Sequence, residues 1–577
     1  METKCKVGVY VCNCGTNIAK MVDCDAVAEY AKTQPGVVVC KAYKYMCSNP
    51  GQEMIVKDIQ ELGLDRVVVA ACSPRMHELT FRGAIEKAGL NPYFFEMANI
   101  REQCSWVHED RAQATDKAKG VTCAAVRRVQ HHEPFTKQSV PMNSTTLIIG
   151  GGIAGMTAAL ELADGDQPVY LVEKEDHLGG NVARIDSMSP YLDSAKDMLA
   201  ERITRVTRNP KITVLLKSEV ESISGYIGNF KAQVKSGGGE AREIEMGSII
   251  VCTGFKEFDA TRAARLGYGK LPNVVTSYDM EKMLKNGRVV TKDGRSPKYV
   301  TIVNCVGSRS EEFNKYCSRV CCMTALKYAN EIKSAVPDVR ITNLYTDMNA
   351  FGKGCEDFYR RSSEAQSVFM MYDKHNPPAV SAAGKKDGCN MLVNLNETLS
   401  GEEIEIPSDL VVLMVGMEAR EDSGKVARLV NISRDKDGWF IESHPKLDPV
   451  STTTDGVFIA GACCSPKDIP ETVAQARATT ARILAKISQG MIWVEPVYAE
   501  INEDLCSGCR MCNELCPYSA IEFDEVKKRS HIIGVMCKAC GTCVAACPSS
   551  AITARHFTDT QIFEQIEGVL EWASSHV

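Results

Sequence analysis

The sequence predicts an α/β protein of several domains, and three observations predict it. Apolar strand-like runs alternate with amphipathic helical stretches across residues 1–130. A block at 145–180 reads as strand, glycine turn, helix and strand. One cysteine pattern occurs twice between residues 506 and 548. At 577 residues the chain exceeds what a single hydrophobic core holds, so about two to four domains are expected.

Composition narrows the function classes. The net charge is −6 and no basic cluster stands out, which argues against nucleic-acid binding. No apolar run approaches the ~20 residues of a membrane span. The start, "METKCKVGVYVC", lacks the long apolar stretch of a signal peptide. The default expectation is therefore a soluble cytoplasmic protein. Twenty-six cysteines in a cytoplasmic chain of this size point to metal ligands, not disulfides. Some, such as Cys252 in "SIIVCTGF", read as small buried hydrophobes.

In the N-terminal third, "KVGVYVCNCG", "GVVVCKAYKYMCS" and "DRVVVAACSPRMHE" read as parallel strands with helices between them. Cys12, Cys14, Cys47 and Cys72 fall at or just past the strand C-terminal ends. In an open parallel sheet those ends share one edge, where ligands bind. The four thiols are candidates to hold an iron–sulfur cluster there. The rival reading is scattered core cysteines, since Cys5, Cys24, Cys40, Cys104 and Cys123 are alternative members. "RRVQHHEPFTKQSVPMN" (127–143), with its charges and two prolines, reads as a linker.

The block "TTLIIGGGIAGMTAALELADGDQPVYLVEKEDHLGG" carries G-x-G-x-x-G at Gly150, Gly152 and Gly155. The first glycine permits the tight turn, the second the approach of a pyrophosphate, and the third close helix–strand packing. Ile153 and Ala154 then open the helix whose N-terminus receives the phosphates. Glu173, 23 residues after Gly150 and followed by Lys174, is placed to take ribose hydroxyls. These residues predict a bound dinucleotide.

Three further segments resemble the FAD enzymes of the glutathione-reductase type. They are "HLGGN", with Gly179, Gly180 and Asn181, "SIIVCTGF", with Thr253 and Gly254, and "TTDGVFIAGACCSPKDIPETVAQARATTARILAKI", with Gly461, Ala462 and Ile469. The resemblance implies FAD in a Rossmann-type, glutathione-reductase-like core. In that group an Asp follows the glycine matched by Gly461 and holds the ribityl chain, whereas here Ala462 stands there.

The second nucleotide loop of such enzymes would follow "YVTIV", but the chain continues "NCVGSRSEEFNKYCSRVCC". The glycine turn is missing and Cys305, Cys317, Cys321 and Cys322 occupy its place, the last two at the start of a predicted helix. A helix N-terminus stabilises thiolate charge, and adjacent cysteines do not readily bridge each other. A cluster beside the flavin is expected, so that electrons pass through iron and not through hydride. Lys327, five residues past Cys322, either tunes flavin N5 as a catalytic residue or is a solvated helix lysine. Lys353 is a weaker candidate of the same kind.

After a second linker, "VEPVYAEINEDL" (494–505), come "CSGCRMCNELCP" and "CKACGTCVAACP", each C-x2-C-x2-C-x3-C-P. Three closely spaced thiolates hold one cubane and the fourth is handed to the other. Cys506, Cys509, Cys512 and Cys547 are assigned to one [4Fe–4S] cluster, and Cys537, Cys540, Cys543 and Cys516 to the second. "TDTQIFEQIEGVLEWA" (558–573) reads as an amphipathic helix that packs on its own domain or docks a partner.

Taken together, "NCVGSR…YCSRVCC", "GACCSPKDIPETVAQA" and the two C-terminal sets resemble the FAD-bearing A subunit of heterodisulfide reductases over nearly the whole chain. With no cysteine between Gly225 and Ile250, the chain is similar to the shorter form, which lacks an inserted ferredoxin domain. The expected division is 1–135 as an N-terminal α/β domain with a cluster, 144–297 and 401–490 as two parts of the FAD domain, 298–400 as an inserted middle domain, 496–557 as a two-cluster ferredoxin domain and 558–577 as a C-terminal helix.

The resemblance implies an oxidoreductase with one FAD and about four [4Fe–4S] clusters that performs flavin-based electron bifurcation in methanogenesis-related metabolism. A mid-potential donor would reduce both ferredoxin and a disulfide. The implied partners are B- and C-type subunits, a hydrogenase or formate dehydrogenase with its adaptor, ferredoxin, and a second copy of the chain. The rival functions are an NAD(P)H-dependent iron–sulfur flavoprotein and a non-bifurcating electron relay.

Overall fold

The structure, a computed structural model, describes residues 5–239, 241–365, 367–383 and 389–574. It divides into two compact units: Met1–Ser139 with Trp493–Val577, and Val140–Ile492.

In the first unit, strands Val37–Tyr43, Val7–Cys12, Arg66–Ala71 and Phe95–Asn99 lie side by side in that order, all parallel. Helices Cys24–Lys32, Asn49–Leu62, Pro74–Lys87 and Arg111–Val129 connect and follow them. Val7, Val9, Val11, Val67, Val68 and Val69 are fully buried. Strands Val7–Cys12 and Arg66–Ala71 are buried on both faces, which is why they do not alternate.

The C-terminal part of this unit has a two-fold internal repeat. Helix Met511–Leu515 corresponds to Thr542–Ala546, each preceded by a left-handed residue, Arg510 (φ +62°) and Gly541 (φ +78°). Strand Ala499–Ile501 pairs with Ile552–Ala554, and Ile521–Asp524 with Arg529–Ile532. Helix Asp559–Ser574 lies along Arg111–Val129. Gly120 and Gly568 allow the approach: a Cβ at Gly120 would stand 2.7 Å from the Trp572 ring, and one at Gly568 2.8 Å from Ala124 Cα. Arg127 adds ion pairs to Glu564, Glu567 and Glu571 at 2.6–2.9 Å.

The second unit contains two parallel sheets. The first runs Ile212–Leu215, Val169–Val172, Thr146–Ile149, Ser248–Val251, Val457–Ile459, with helices Ile153–Asp164 and Ile469–Ile487 packed together. The second runs Val274–Thr276, Leu410–Val415, Tyr299–Val306, Arg340–Tyr345, Val368–Met371. It therefore reaches beyond residues 298–400 on both sides. A three-residue strand such as Val274–Thr276 is too short to show a period-2 pattern. Antiparallel three-stranded meanders are formed by Ser218–Tyr226, Asn229–Ser236 and Ala241–Met246, and by Ala379–Ala382, Met391–Asn396 and Glu403–Ser408.

Candidate cofactor and cluster sites

The C-terminal ends of the first sheet of the second unit open into a cleft of about 1260 Å³, more than the ~300–1,000 Å³ of an ordinary small-molecule pocket. Gly150, Gly152, Ile153, Ala154, Glu173, Lys174, Gly179, Gly180, Asn181, Thr253, Gly254, Ala462 and Ile469 all line it. Gly155 and Gly461 stand behind the wall. A Cβ on Gly155 would come 1.9 Å from Gly150 O, so only glycine lets the helix sit that close. Gly461 (φ +83°) would meet Ala154 Cβ at 2.9 Å. Helix Ile153–Asp164 has no side-chain cap at Gly152, so its first N–H groups are available to phosphate oxygens.

Glu173 also shapes the loop from within. Its Oε2 accepts from Gly151 N at 2.6 Å and its Oε1 from Glu175 N at 2.8 Å. Lys174 pairs with Asp422 at 3.5 Å, and Asn181 Nδ2 donates to Phe255 O at 3.0 Å. A bare helix N-terminus, a glycine cradle that a Cβ would fill and an acid at the strand end fit a dinucleotide.

Of the mid-chain thiols, Cys321 reaches the same cleft, while Cys305 lines a small separate cavity. Cys305 ends strand Tyr299–Val306 in left-handed conformation (φ +61°), and Cys321 and Cys322 begin helix Cys321–Ala335. Cys321 lines the cleft and is fully buried; burial pushes its thiol well above the usual range, and Cys305, Cys322 and Cys317 add to that. Cys317 accepts from Arg319 N at 3.3 Å and from Asn349 Nδ2 at 3.6 Å. A bound metal group would supply the positive charge that offsets thiolate burial, so the donor set fits a cluster. Arg319 pairs with Glu471 and ties this loop to helix Ile469–Ile487. Where a second nucleotide loop would need an open glycine turn, a Cβ on Gly307 would lie 2.1 Å from the Phe258 ring.

Lys327 is not a solvated lysine. It is 2% exposed, and its Nζ donates to Glu281 Oε1 at 2.6 Å and to Ser187 O at 2.8 Å. Tyr328 Oη donates to the same Glu281 oxygen at 2.8 Å. The long side chain of Lys327 crosses the helix face to a neighbouring acid, which helix periodicity cannot reveal. Lys353 lies at the cleft rim.

In the first unit, Cys516, Cys537, Cys540 and Cys543 line one small cavity, so the thiol from the first motif joins three from the second. Cys512 has Cys506 and Cys509 as thiol neighbours. The repeat extends to backbone contacts: Ala520 N donates to Cys516 Sγ and Ala551 N to Cys547 Sγ, both at 3.3 Å. On the parallel sheet of this unit, Cys12 has Cys14, Cys47 and Cys72 as thiol neighbours, and burial is the main reason its own thiol is raised to about 12. Cys40 and Cys104 belong to the core, Cys123 donates to Gln34 at 2.9 Å and Cys5 faces Gln130 O. Cys24 is the one rival near Cys12, with its Sγ 3.7 Å from Cys12 O.

Residues 144–480 match the pyridine nucleotide-disulphide oxidoreductase family, and residues 498–548 match the 4Fe-4S dicluster domain. An iron–sulfur A subunit of the CoB–CoM heterodisulfide reductase of Methanopyrus kandleri, numbered 2 of its kind, is 40% identical, with 98% of this chain and 99% of that protein covered. The A subunit of the H2:CoB-CoM heterodisulfide,ferredoxin reductase of Methanothermobacter thermautotrophicus is 40% identical over 98% of this chain and 97% of that protein. The A subunit of the H2/formate:CoB-CoM heterodisulfide,ferredoxin reductase of Methanococcus maripaludis is 37% identical over 98% and 99%. The chain belongs to the family of heterodisulfide reductase A subunits.

Like that family it is an oxidoreductase, a flavin and iron–sulfur subunit with FAD and [4Fe–4S] clusters as cofactors. The alignment to the Methanopyrus protein runs over 654 positions, more than the 577 residues here, so that relative carries residues without counterpart in this shorter chain. Among the described residues no helix is long and apolar enough to cross a membrane.

Sequence reasoning missed several residues that this A subunit places in or against its cleft. Arg420, Asp422 and Lys425 reach it from the far side, and no motif marks them. Ser187, Tyr278 and Glu281 line it next to Lys327. Cys463 and Cys464 lie buried beside wall residue Ala462. A hydrogen bond from Cys463 holds the Cys464 thiol below the usual range, helped by Lys467 Nζ at 3.3 Å from Sγ. The two adjacent thiols are visible in "GACCS", which the sequence marks as part of a flavin segment and of the A-subunit resemblance but with no role for the thiols themselves.

Proposed function

We propose that this A subunit performs flavin-based electron bifurcation within a heterodisulfide reductase complex, taking electron pairs from a mid-potential donor and delivering them singly to ferredoxin and toward a disulfide. One observation carries the reading: Cys321, a member of the mid-chain thiol set, opens onto the same cleft as the glycine cradle. FAD in that cleft exchanges electrons in pairs or singly, which is what a junction between the two kinds of carrier requires.

The chain's own residues serve this chemistry by placement. Gly150 and Gly152 with the N–H groups of Ile153 and Ala154 would bind the pyrophosphate, Gly155 letting the helix sit close enough, and Glu173 would take ribose hydroxyls. Gly179, Gly180, Asn181, Thr253, Gly254, Gly461, Ala462 and Ile469 shape the remainder, and Lys174 screens the rim. Cys305, Cys317, Cys321 and Cys322 hold the cluster nearest the flavin. Cys506, Cys509, Cys512 and Cys547, and Cys537, Cys540, Cys543 and Cys516, hold the C-terminal pair. Cys12, Cys14, Cys47 and Cys72 hold a fourth. Lys327, its Nζ held against Glu281, places a buried ion pair in the cleft wall that tunes the flavin.

The partners this predicts are B- and C-type subunits that carry the disulfide chemistry, a hydrogenase or formate dehydrogenase adaptor, ferredoxin, and a second copy of the chain, in the cytoplasm. The names of the relatives that mention ferredoxin, H2 and formate support the donors and acceptors. The test is electron counting in the anaerobically purified native complex. Bifurcation predicts equal electron yields in reduced ferredoxin and cleaved heterodisulfide from one donor, with each product requiring the other acceptor. Disulfide cleavage that runs unchanged without ferredoxin would identify a relay instead. Bleaching of the flavin by NADPH alone would identify a pyridine-nucleotide enzyme.

A further inference from the structure

Away from the cleft and the cysteine sets, the first unit buries a cluster of ionisable groups that the proposed electron transfer does not use. Glu96 lies on strand Phe95–Asn99, His132 just past helix Arg111–Val129, and His556 just past strand Ile552–Ala554. One ligating atom from each lies within 4.8 Å of the other two. The His132 side chain is fully buried and His556 is 7% exposed. The rings of Tyr93, Phe135 and Phe557 surround His556 with centroids 5.8–6.4 Å away, and the two imidazoles stand 3.9 Å apart.

Three imidazole nitrogens in this box, both of His132 and Nδ1 of His556, have no well-formed hydrogen bond. Buried polar atoms without partners cost about 1–3 kcal/mol each and are uncommon, so several together need a reason. His132 Nε2 is 3.3 Å from Glu96 Oε2 but misaligned for donation. That spacing is the ligand–ligand edge, about 3.3–3.5 Å, that a tetrahedral ion with bonds of about 2.0–2.2 Å imposes.

We propose that Glu96, His132 and His556 form a binding site for one zinc ion, with water as the fourth ligand. Two neutral imidazoles and a carboxylate are a zinc donor set. Burial above all disfavours the protonated form of both imidazoles, Arg128 adding to this at each and Arg82 at His556 alone, and the neutral ring is the form a metal takes. Arg128 also holds the carboxylate in place: its Nη1 donates to Glu96 Oε1 at 3.0 Å, leaving Oε2 turned to the imidazoles, and its Nη2 donates to His556 O at 2.9 Å. The guanidinium charge raises the cost of a nearby cation, so the site depends on the carboxylate. The consequence is a clip. His132 and His556 are more than 400 residues apart in the chain, and a metal that closes so long a loop would fasten the two-cluster segment to the N-terminal sheet.

The test uses full-length protein with FAD and iron loaded, equilibrated with zinc alone, and measures zinc and iron together by mass spectrometry. About one zinc per chain is expected in the unmodified protein. At least a tenfold weaker retention is expected in His132→Ala, His556→Ala and Glu96→Gln, at unchanged iron and FAD. Zinc K-edge absorption on unmodified protein should show nitrogen and oxygen ligands without sulfur, which keeps the test decisive if a variant fails to fold. No bound zinc, zinc with sulfur ligands, or zinc retained equally in all three variants would overturn the proposal.

Discussion

The C-terminal cysteine sets and the mid-chain set are candidates for the same inorganic group and are built in opposite ways. In the C-terminal sets, three cysteines sit within one turn-and-helix, and Cys516 crosses to the cavity lined by the second set. Cys509 and Cys540 are exposed. In the mid-chain set, a strand end, an irregular loop and a helix start each bring part of the donor set, Cys321 is fully buried, and backbone strain is concentrated at Cys305, Arg309 and Arg319, all with positive φ. Local spacing suffices where cysteines need only wrap a cube. A donor set that must also face a flavin cleft has to be assembled by tertiary structure.

The comparison can be broken most directly at Cys321. Cys321→Ala is expected to remove about four iron atoms per chain, keep FAD and the C-terminal clusters, and abolish ferredoxin reduction, read by iron analysis and product yield. Retention of all iron would show that the mid-chain set is not a cluster site. The next effect tests the exchange of fourth ligands: Cys516→Ala should remove the centre shared with Cys537, Cys540 and Cys543 while that of Cys506, Cys509 and Cys512 persists. Low-temperature electron paramagnetic resonance of the reduced protein distinguishes the two outcomes, and loss of the Cys506 centre instead would refute the assignment.

A smaller effect sharpens the contrast in burial. Lys327→Met removes the counter-ion of Glu281 at 4% side-chain exposure. Breaking a buried pair in this way costs about 3–5 kcal/mol, so denaturant unfolding of the second unit should shift by that order, while Lys327→Met with Glu281→Gln recovers most of it. Equal stability of the single and double variants would contradict the pairing. The smallest effect is at Arg127. Its glutamate partners are 28–61% exposed, so Arg127→Ala should loosen helix Asp559–Ser574 by about 0.5–1 kcal/mol, seen as faster amide exchange in that helix alone.

Much of the candidate site was legible because its constraints are local. Gly150 and Gly155 had to be glycines for the turn and the packing, and the strand before them and acid after them lay within one βαβ unit. Lys327 was legible only by its distance from Cys322; its burial depends on Glu281, from a helix 46 residues earlier. Arg420, Asp422 and Lys425 enter the cleft by way of the second sheet, whose edge strand Val274–Thr276 is too short to carry a pattern. The helix Asp559–Ser574 was legible as amphipathic, but the surface it covers was not.

By itself the sequence determined the chemistry: which thiols repeat at cluster spacing, where a dinucleotide loop lies, and where a second one is replaced by cysteines. Those are covalent spacings of a few residues, and the backbone geometry of a turn or one helical turn converts them directly into ligand positions. Tertiary structure alone decided which surfaces meet. It brought Cys321 to the flavin cleft, Lys327 to Glu281, and two histidines from opposite ends of the chain to one glutamate. Such contacts depend on packing between elements distant in the chain, which no local period records.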